Sequence, residues 1–360
     1  MKVKGENLSR AKRKIDHIEY AMQVGQTRAS GLDDITFLHR SFPDTIVNQI
    51  SLSTKVGELQ FSSPIYINAM TGGGGRKTEK INRQLAQIAN VLNIPMAVGS
   101  QMSAVKDKSE QPSYKVVRQY HPRGLVFANV GSEATVDEAL FCISMLEADA
   151  LQIHMNVIQE LVMPEGDRDF KGALKRVESI IKAIDIPVIV KEVGFGMSRE
   201  TVKQLYNIGV SYVDVGGFGG TNFSLIENSR RTRQMNFFDH WGIPTAVSVA
   251  ETAVYNDDTL DLTIFASGGI QNALDIAKVI ALGANAAGLA GTVLKWVKDD
   301  GVDRTIDNLN SLLTDLKFIM AAVGAETITD LKKSPIIISG ATREWLIERG
   351  IDTTVFANRG

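Results

Sequence analysis

The sequence predicts an α/β protein built as a (β/α)8 barrel, with an N-terminal helical extension ahead of it and a long loop after its sixth strand. Three observations predict it. Eight short runs are apolar on both faces, which is how parallel strands read when helices cover them. They begin roughly 30 residues apart, the length of one βα unit, with one longer gap of about 50. Helical patterns with one apolar face fill the intervals. An open doubly wound sheet is the alternative that the same units allow.

Residues 1–59 read as an arm that precedes the barrel, with one helix over Leu8–Met22 and a polar segment after it. The strands are Pro64–Ala69 (PIYINA), Pro95–Gly99 (PMAVG), Leu125–Val130 (LVFANV), Ala150–His154 (ALQIH), Pro187–Lys191 (PVIVK), Tyr212–Val215 (YVDV), Thr263–Ser267 (TIFAS) and the weaker Ala286–Ala290 (AAGLA). Glu79–Leu92 places apolar residues three and four apart, the spacing of a helix with one buried face; Ala173–Ile184, Arg199–Ile208 and Asn272–Leu282 follow suit. The long gap holds a polar loop, Gly217–Gly242, before a helix near Pro244–Tyr255. A connection of that length is usually a lid, a binding loop or an interface. The βα units end near residue 325, and residues 60–360 read as the barrel with its C-terminal helices.

With 39 Lys+Arg against 41 Asp+Glu, the 360-residue chain carries a net charge of −2. That balance excludes nucleic acid or an anionic membrane as a partner held by overall charge. The polar start, MKVKGENLSRAKRK, lacks the apolar stretch of a secretory signal. The uncharged run between Lys278 and Lys295 is shorter than the roughly 20 residues that span a bilayer. Cys142 is the only cysteine, so neither an intrachain disulfide nor a cysteine-based metal site is expected, and the expected setting is reducing and cytoplasmic. A small molecule is the partner to look for.

In such a barrel the active site lies at the C-terminal strand ends. After the first strand, Met70-Thr71-Gly72-Gly73-Gly74-Gly75-Arg76-Lys77 lets backbone approach a ligand and turns N–H groups toward anions. The Gly-Lys-Ser/Thr ending of a P-loop is missing. The seventh and eighth strands end in small-residue turns that open helices, Ser267-Gly268-Gly269-Ile270 and Gly288-Leu289-Ala290-Gly291-Thr292. Paired turns of this kind hold phosphate at helix N-termini, and simple tight turns are the plain alternative. The fourth strand ends in His154-Met155-Asn156-Val157-Ile158-Gln159-Glu160, four polar side chains where an apolar strand stops. Glu160 is a hard oxygen ligand suited to Mg2+, which takes one or two carboxylates plus phosphate and water. The fifth strand closes on Lys191, whose burial is costly without a partner. It reads as a Schiff-base lysine, as a fixed positive charge beside an electron-rich cofactor, or as an ion-pair partner of Glu192 or Asp214. The sixth strand leads into Gly216-Gly217-Phe218-Gly219-Gly220-Thr221, but no segment has the strand–GxGxxG–helix setting of tightly bound NAD. Two basic clusters, Arg10/Arg13/Lys14 and Arg230/Arg231/Arg233, are suited to clamping phosphate or to lying on solvated faces. No Ser-His-Asp elbow or HExxH helix is present.

Taken together, these segments resemble the flavin-dependent type 2 isopentenyl-diphosphate isomerases. The matching stretches are Arg13-Lys14, GLDDITF at Gly31–Phe37, INAMTGG at Ile67–Gly73, GSQ at Gly99–Gln101, NVG at Asn129–Gly131, QIHMNVIQE at Gln152–Glu160, VKEVGFG at Val190–Gly196, GGFGGTNF at Gly216–Phe223 and ASGGI at Ala266–Ile270. They run in order over nearly the whole chain. The resemblance implies a TIM-barrel flavoprotein that interconverts isopentenyl and dimethylallyl diphosphate. It implies FMN, reduced by NADPH or another reductant, and Mg2+, with no net redox. FMN contacts are implied at Ala69, Met70, Thr71, Ser100, Asn129, Lys191, Thr221, Gly268, Gly269, Ile270, Ala290 and Gly291. Arg13 and Lys14 are implied at the diphosphate; His154, Asn156 and Gln159 at the substrate; Glu160 at a Mg2+ bridging to the diphosphate. On this reading Lys191 stabilises negative charge on reduced flavin, which argues against a Schiff base. The family's favoured acid/base is the flavin itself, Gln159 orients the substrate, and His154 is a candidate proton relay. A homo-oligomer, tetramer or octamer, fits the family.

Three other readings stand beside it. A hydroxy-acid oxidase on the same FMN barrel generally wants a His base and an Arg clamp near the sixth and seventh loops, where this chain offers glycines and Thr221. A class I aldolase would use Lys191. A non-catalytic phosphate- or flavin-binding barrel is disfavoured by the concentration of polar groups at the strand ends.

Overall fold

Strands without a polar face need cover on both sides, and here eight of them meet that need by closing into a ring. The structure, a computed structural model, describes residues 29–256 and 261–359. Its strands are β1 (Ile35–Phe37), β2 (Thr54–Val56), β3 (Leu59–Phe61), β4 (Ile65–Ile67), β5 (Met96–Ala97), β6 (Val126–Gly131), β7 (Ala150–Met155), β8 (Val188–Glu192), β9 (Tyr212–Asp214), β10 (Thr263–Ser267), β11 (Ala286–Leu289) and β12 (Ile336–Ile338). β4 to β11 are parallel and neighbour one another in chain order. β11 pairs back onto β4, with Ala287 opposite Ile65 and Leu289 opposite Ile67. That closure excludes the open sheet. All eight expected barrel strands are present.

The helices begin where side chains take up their free N–H groups. Ser198 caps Arg199–Asn207, Asn272 caps Ala273–Leu282, and Thr135 with Glu138 forms a capping box at Val136–Leu146. The helix expected from Glu79 starts earlier, as Gly75–Leu92, with Thr78 Oγ1 accepting the Gly74 N–H at 2.9 Å.

The barrel interior changes character with height. Its lower part is apolar: Tyr66, Phe127, Ala150, Ile189 and Phe265 pack against Val56, Leu59 and Phe61 of an antiparallel β2–β3 hairpin. Phe61 lies 6.4 Å from Phe127 and 6.2 Å from Phe265, ring to ring, so the hairpin closes the N-terminal end of the barrel. Toward the C-terminal end the buried residues turn polar: Asn68, Asn129, Gln152, Asp214 and Ser267.

Several elements depart from the sequence reading. The long connection after β9 is not a bare loop; it holds a short helix, Phe223–Asn228, capped by Asn222, and a 3-10 turn at Asn236–Phe238. The hairpin and the β1–β12 pair, with Ile35 opposite Ile338, were not foreseen. The boundary drawn between residues 59 and 60 passes through β3. The helix expected at Leu8–Met22, with Arg10, Arg13 and Lys14, lies outside the described residues.

Candidate active site

The C-terminal ends of the barrel strands open onto a cavity of about 820 Å3, within the range that holds a cofactor and a small substrate. Every expected site residue in the described range lines it. Ala69, Met70 and Thr71 follow β4, Ser100 follows β5, and Asn129 stands on β6. His154, Asn156, Gln159 and Glu160 come from the end of β7 and the turn beyond it, and Lys191 from β8. Thr221 follows β9; Gly268, Gly269 and Ile270 follow β10; Ala290 and Gly291 follow β11. Arg13 and Lys14 lie outside the described residues.

The glycines do more than leave room for a ligand. At Gly268 (φ 106°) an added Cβ would stand 2.0 Å from Gly217 O, and at Gly269 (φ 75°) 2.5 Å from Gly219 O. The loops after β9 and β10 therefore touch backbone to backbone, and only glycine allows it.

On β8, Lys191 is buried and donates from Nζ to the main-chain O of Glu192 at 2.7 Å. The expected alternatives of a pair with Glu192 or Asp214 are not the arrangement found. Glu192 Oε2 accepts from Val193 N at 2.7 Å and Phe195 N at 3.2 Å. Burial pushes its carboxyl up to about 7, against the pull of these N–H groups and of Lys191. Asp214 accepts from Tyr66 Oη (2.7 Å), Asn68 Nδ2 (3.0 Å), Ser267 Oγ (2.7 Å) and Gly216 N (3.1 Å). Burial, then Asp214, holds the Tyr66 phenol well above its usual range, so Tyr66 is the donor in that pair.

Beyond β7, Glu160 Oε1 accepts from Asn156 Nδ2 at 2.9 Å and Oε2 from Asp167 N at 2.7 Å. These bonds fix the carboxylate in the wall of the cavity, which Glu133, Glu165, Asp167 and Asp169 also line. Among the described residues no three His, Cys, Asp or Glu side chains converge as a metal cage. A hard cation here would rest on Glu160 together with ligand phosphate and water, which suits Mg2+. Gln159 Nε2 donates to the buried Glu227 Oε1 at 3.2 Å. Glu227 Oε2 in turn takes Arg230 at 2.5 Å, and Arg230 also reaches Glu165 at 2.5 Å. Arg231 donates to Val162 O at 2.7 Å. Of the second basic cluster, Arg230 and Arg231 are thus engaged by protein acceptors. Cys142 is buried and its thiol is pushed up to about 12, which removes it as a nucleophile.

Glu227, Asn68 and Gln152 were not singled out from sequence, and Glu192 was named only as a pairing partner for Lys191, whereas the buried amide Asn129 was expected. Glu192 carried a signal, standing next to the lysine that closes an apolar strand. Glu227 carried none, because its partner Gln159 is 68 positions away.

The chain matches the model of the FMN-dependent dehydrogenase family over residues 118–338. It is 56% identical to a Bacillus licheniformis protein named isopentenyl-diphosphate delta-isomerase, over 98% of this chain and 100% of that one. A Geobacillus protein of the same name is 53% identical over 98% of this chain and 100% of its own. Among solved structures, a flavocytochrome b2 mutant with benzoylformate superposes with a TM-score of 0.69 at 17% identity, covering 93% of this chain and 88% of that one. A mandelate oxidase mutant with a monooxide FMN adduct gives 0.63 at 15% identity, over 88% and 94%. At such identities the two structures show a shared fold.

Proposed function

The chain belongs to the FMN-dependent dehydrogenase family and to the isopentenyl-diphosphate delta-isomerases, which makes it an isomerase, and we propose that it interconverts isopentenyl and dimethylallyl diphosphate using reduced FMN and Mg2+, with no net redox. The observation that carries this reading is Lys191. A buried ammonium that lines the cavity and donates to a neutral carbonyl, with no carboxylate within ion-pair distance of it among the described residues, is matched to an electron-rich, anionic ring.

Bound reduced flavin would supply the acid/base chemistry that an unactivated alkene requires. The chain's own residues then bind and orient. The turns at Gly268–Ile270 and Ala290–Gly291 offer backbone N–H groups to a phosphate, the second at the start of the helix Gly291–Asp299. Glu160, steadied by Asn156 and Asp167, would hold Mg2+ against the substrate diphosphate. Gln159, braced by Glu227, orients the substrate and has no proton to trade near neutral pH. His154 and Asn156 face the same space, and Arg13 and Lys14 are assigned to the diphosphate. NADPH is the proposed reductant.

No helix among the described residues is long and apolar enough to cross a membrane. We read the protein as cytoplasmic and as a homo-oligomer, tetramer or octamer; light scattering on the purified protein checks the latter.

The decisive experiment is anaerobic. Protein, FMN, Mg2+, isopentenyl diphosphate and a trace of NADPH are mixed, and dimethylallyl diphosphate is followed by NMR. Many turnovers per NADPH are expected. No product, with flavin bound and reduced, would overturn the reading in favour of an oxidoreductase on the same barrel.

A further inference from the structure

From Asn68, just after β4, to His154 on β7 runs a chain of buried amides in which Asn68 and Asn129 line the cavity and Gln152 does not. At one end Asn68 Nδ2 donates to Asp214 Oδ2 at 3.0 Å, while Asn68 Oδ1 accepts from its neighbour's backbone, Ala69 N, at 2.7 Å. Gln152 Nε2 donates to that same Asn68 Oδ1 at 3.3 Å. Asn129 Nδ2 donates to Gln152 Oε1 at 3.1 Å, and Asn129 Oδ1 lies 2.9 Å from His154 Nδ1.

The direction of every link follows from the first. Side-chain amides can be turned end for end and a histidine carries its proton on either nitrogen, so neither choice is visible by itself. A backbone N–H, however, only donates. Ala69 therefore fixes Asn68 with its oxygen toward Gln152 and its nitrogen toward Asp214. Gln152 must then present its nitrogen to Asn68 and its oxygen to Asn129. Asn129 must present its nitrogen to Gln152, which leaves its oxygen facing the imidazole. A flipped His154 ring would set a C–H against that oxygen and lose the bond.

We propose that Gln152 is a positioning residue for His154: it carries the polarity that the Ala69 N–H sets at Asn68 through Asn129, and holds the imidazole with Nδ1 protonated, so that Nε2 is the nitrogen that gains or loses a proton. Gln152 does this from outside the cavity, fully buried at 0% exposure. A buried amide with a reversed neighbour would leave two donors or two acceptors face to face, which makes the chain all-or-none. That the ring then meets the substrate rests on the function proposed above; the tautomer does not.

The test separates the two. The protein is labelled with 15N-histidine, and His154 is assigned by the signals lost in His154→Gln. At a pH where the ring is neutral, the wild-type spectrum is expected to show Nδ1 bearing the proton and Nε2 bearing the lone pair. The opposite tautomer in the wild type would overturn the proposal outright, with no variant needed. Gln152→Leu removes both polar contacts and frees Asn129 to turn, so the Nε2–H form is expected to appear beside the first; Gln152→Met serves if the leucine variant does not fold. Gln152→Glu keeps an acceptor toward Asn129, and as a carboxylic acid also donates to Asn68, so it is expected to restore the wild-type tautomer. An unchanged tautomer in the leucine or methionine variant would remove Gln152 from the role, as would loss of the tautomer in Gln152→Glu. Turnover is then expected to follow the competent fraction, falling roughly two- to tenfold in the apolar variant and recovering in Gln152→Glu. Should the protein prove not to be an isomerase, only this last readout is lost.

Discussion

Lys191 and Glu192 stand side by side on β8, both buried, and they respond to opposite tests. Removing the ammonium by Lys191→Ala should weaken FMN binding by about 1.5–3 kcal/mol, the range of a charge-assisted contact, and lower the flavin's reduction potential. A fluorescence titration and a redox titration check this; an unaltered spectrum and potential would remove Lys191 from the cofactor. Glu192 is a matter of pH. Its folded value, about 7, lies above its ordinary 4.5, so the folded protein binds the proton more tightly. The stability this contributes is complete below about 4.5 and is lost as pH rises through 7. Glu192→Gln keeps an acceptor for Val193 and Phe195 but cannot ionise. Relative to wild type it should gain about 2–3 kcal/mol between pH 5 and pH 8, measured by urea unfolding. Equal stability differences at both pH values would refute it. Glu160→Gln should leave flavin binding intact and raise the Mg2+ concentration needed for half-maximal activity roughly tenfold; an unshifted Mg2+ titration would end the metal assignment. Lys191 was legible in the sequence because a charged residue closing an apolar strand is anomalous on its face, and Glu160 because it belongs to a cluster of polar side chains just past the end of another apolar strand. Gln152 was not: it sits inside an apolar strand, and its partner Asn68 is 84 positions away.

The eight barrel strands were legible for a different reason, since a run buried on both faces carries its own signature. The β2–β3 hairpin was invisible because each strand has three residues, too few for a pattern, and its apolar side chains find their partners inside a barrel assembled from later sequence. Its contribution is testable at Phe61, whose ring is 1% exposed and packs between Phe127 and Phe265. Phe61→Ala should destabilise by about 3–5 kcal/mol through lost burial and the cavity left behind. Denaturant unfolding reads the loss. FMN affinity of the folded fraction should stay within twofold, because the hairpin lies at the opposite end of the barrel from the site. The glycine loops illustrate the converse: the positions were legible, but half of their purpose was not. Spacing marked Gly268 and Gly269 as ligand-facing, whereas their contact with Gly217 and Gly219 could be seen only once two loops were brought together.

Across the whole molecule, the last stretch of chain reaches back to the site through residues 30–37. β12 pairs with β1, and Asp34 Oδ2 accepts from Thr342 N at 2.9 Å, a carboxylate from 308 positions away at the start of the helix Gly340–Glu348. That helix has no side-chain cap from its own Ser339, so Asp34 meets both its free N–H groups and its dipole. Gly31 and Leu32 are tied in by Thr342 Oγ1 and Lys278 Nζ, and Ser30 packs against Gly219 and Gly269, the glycines at which the loops after β9 and β10 meet. The GLDDITF motif at Gly31–Phe37 is thereby explained by structure more than by chemistry: it is a strap that joins the C-terminal helix to the loops of the cavity. Asp34→Ala should cost about 1–2 kcal/mol of stability, and because the strap backs both loops, it should also weaken FMN binding although Asp34 does not line the cavity. Urea unfolding and a flavin titration are read together. Loss of stability with unchanged flavin affinity would confine Asp34 to capping a helix, whereas loss of both would show that the far end of the chain holds the loops of the site in place.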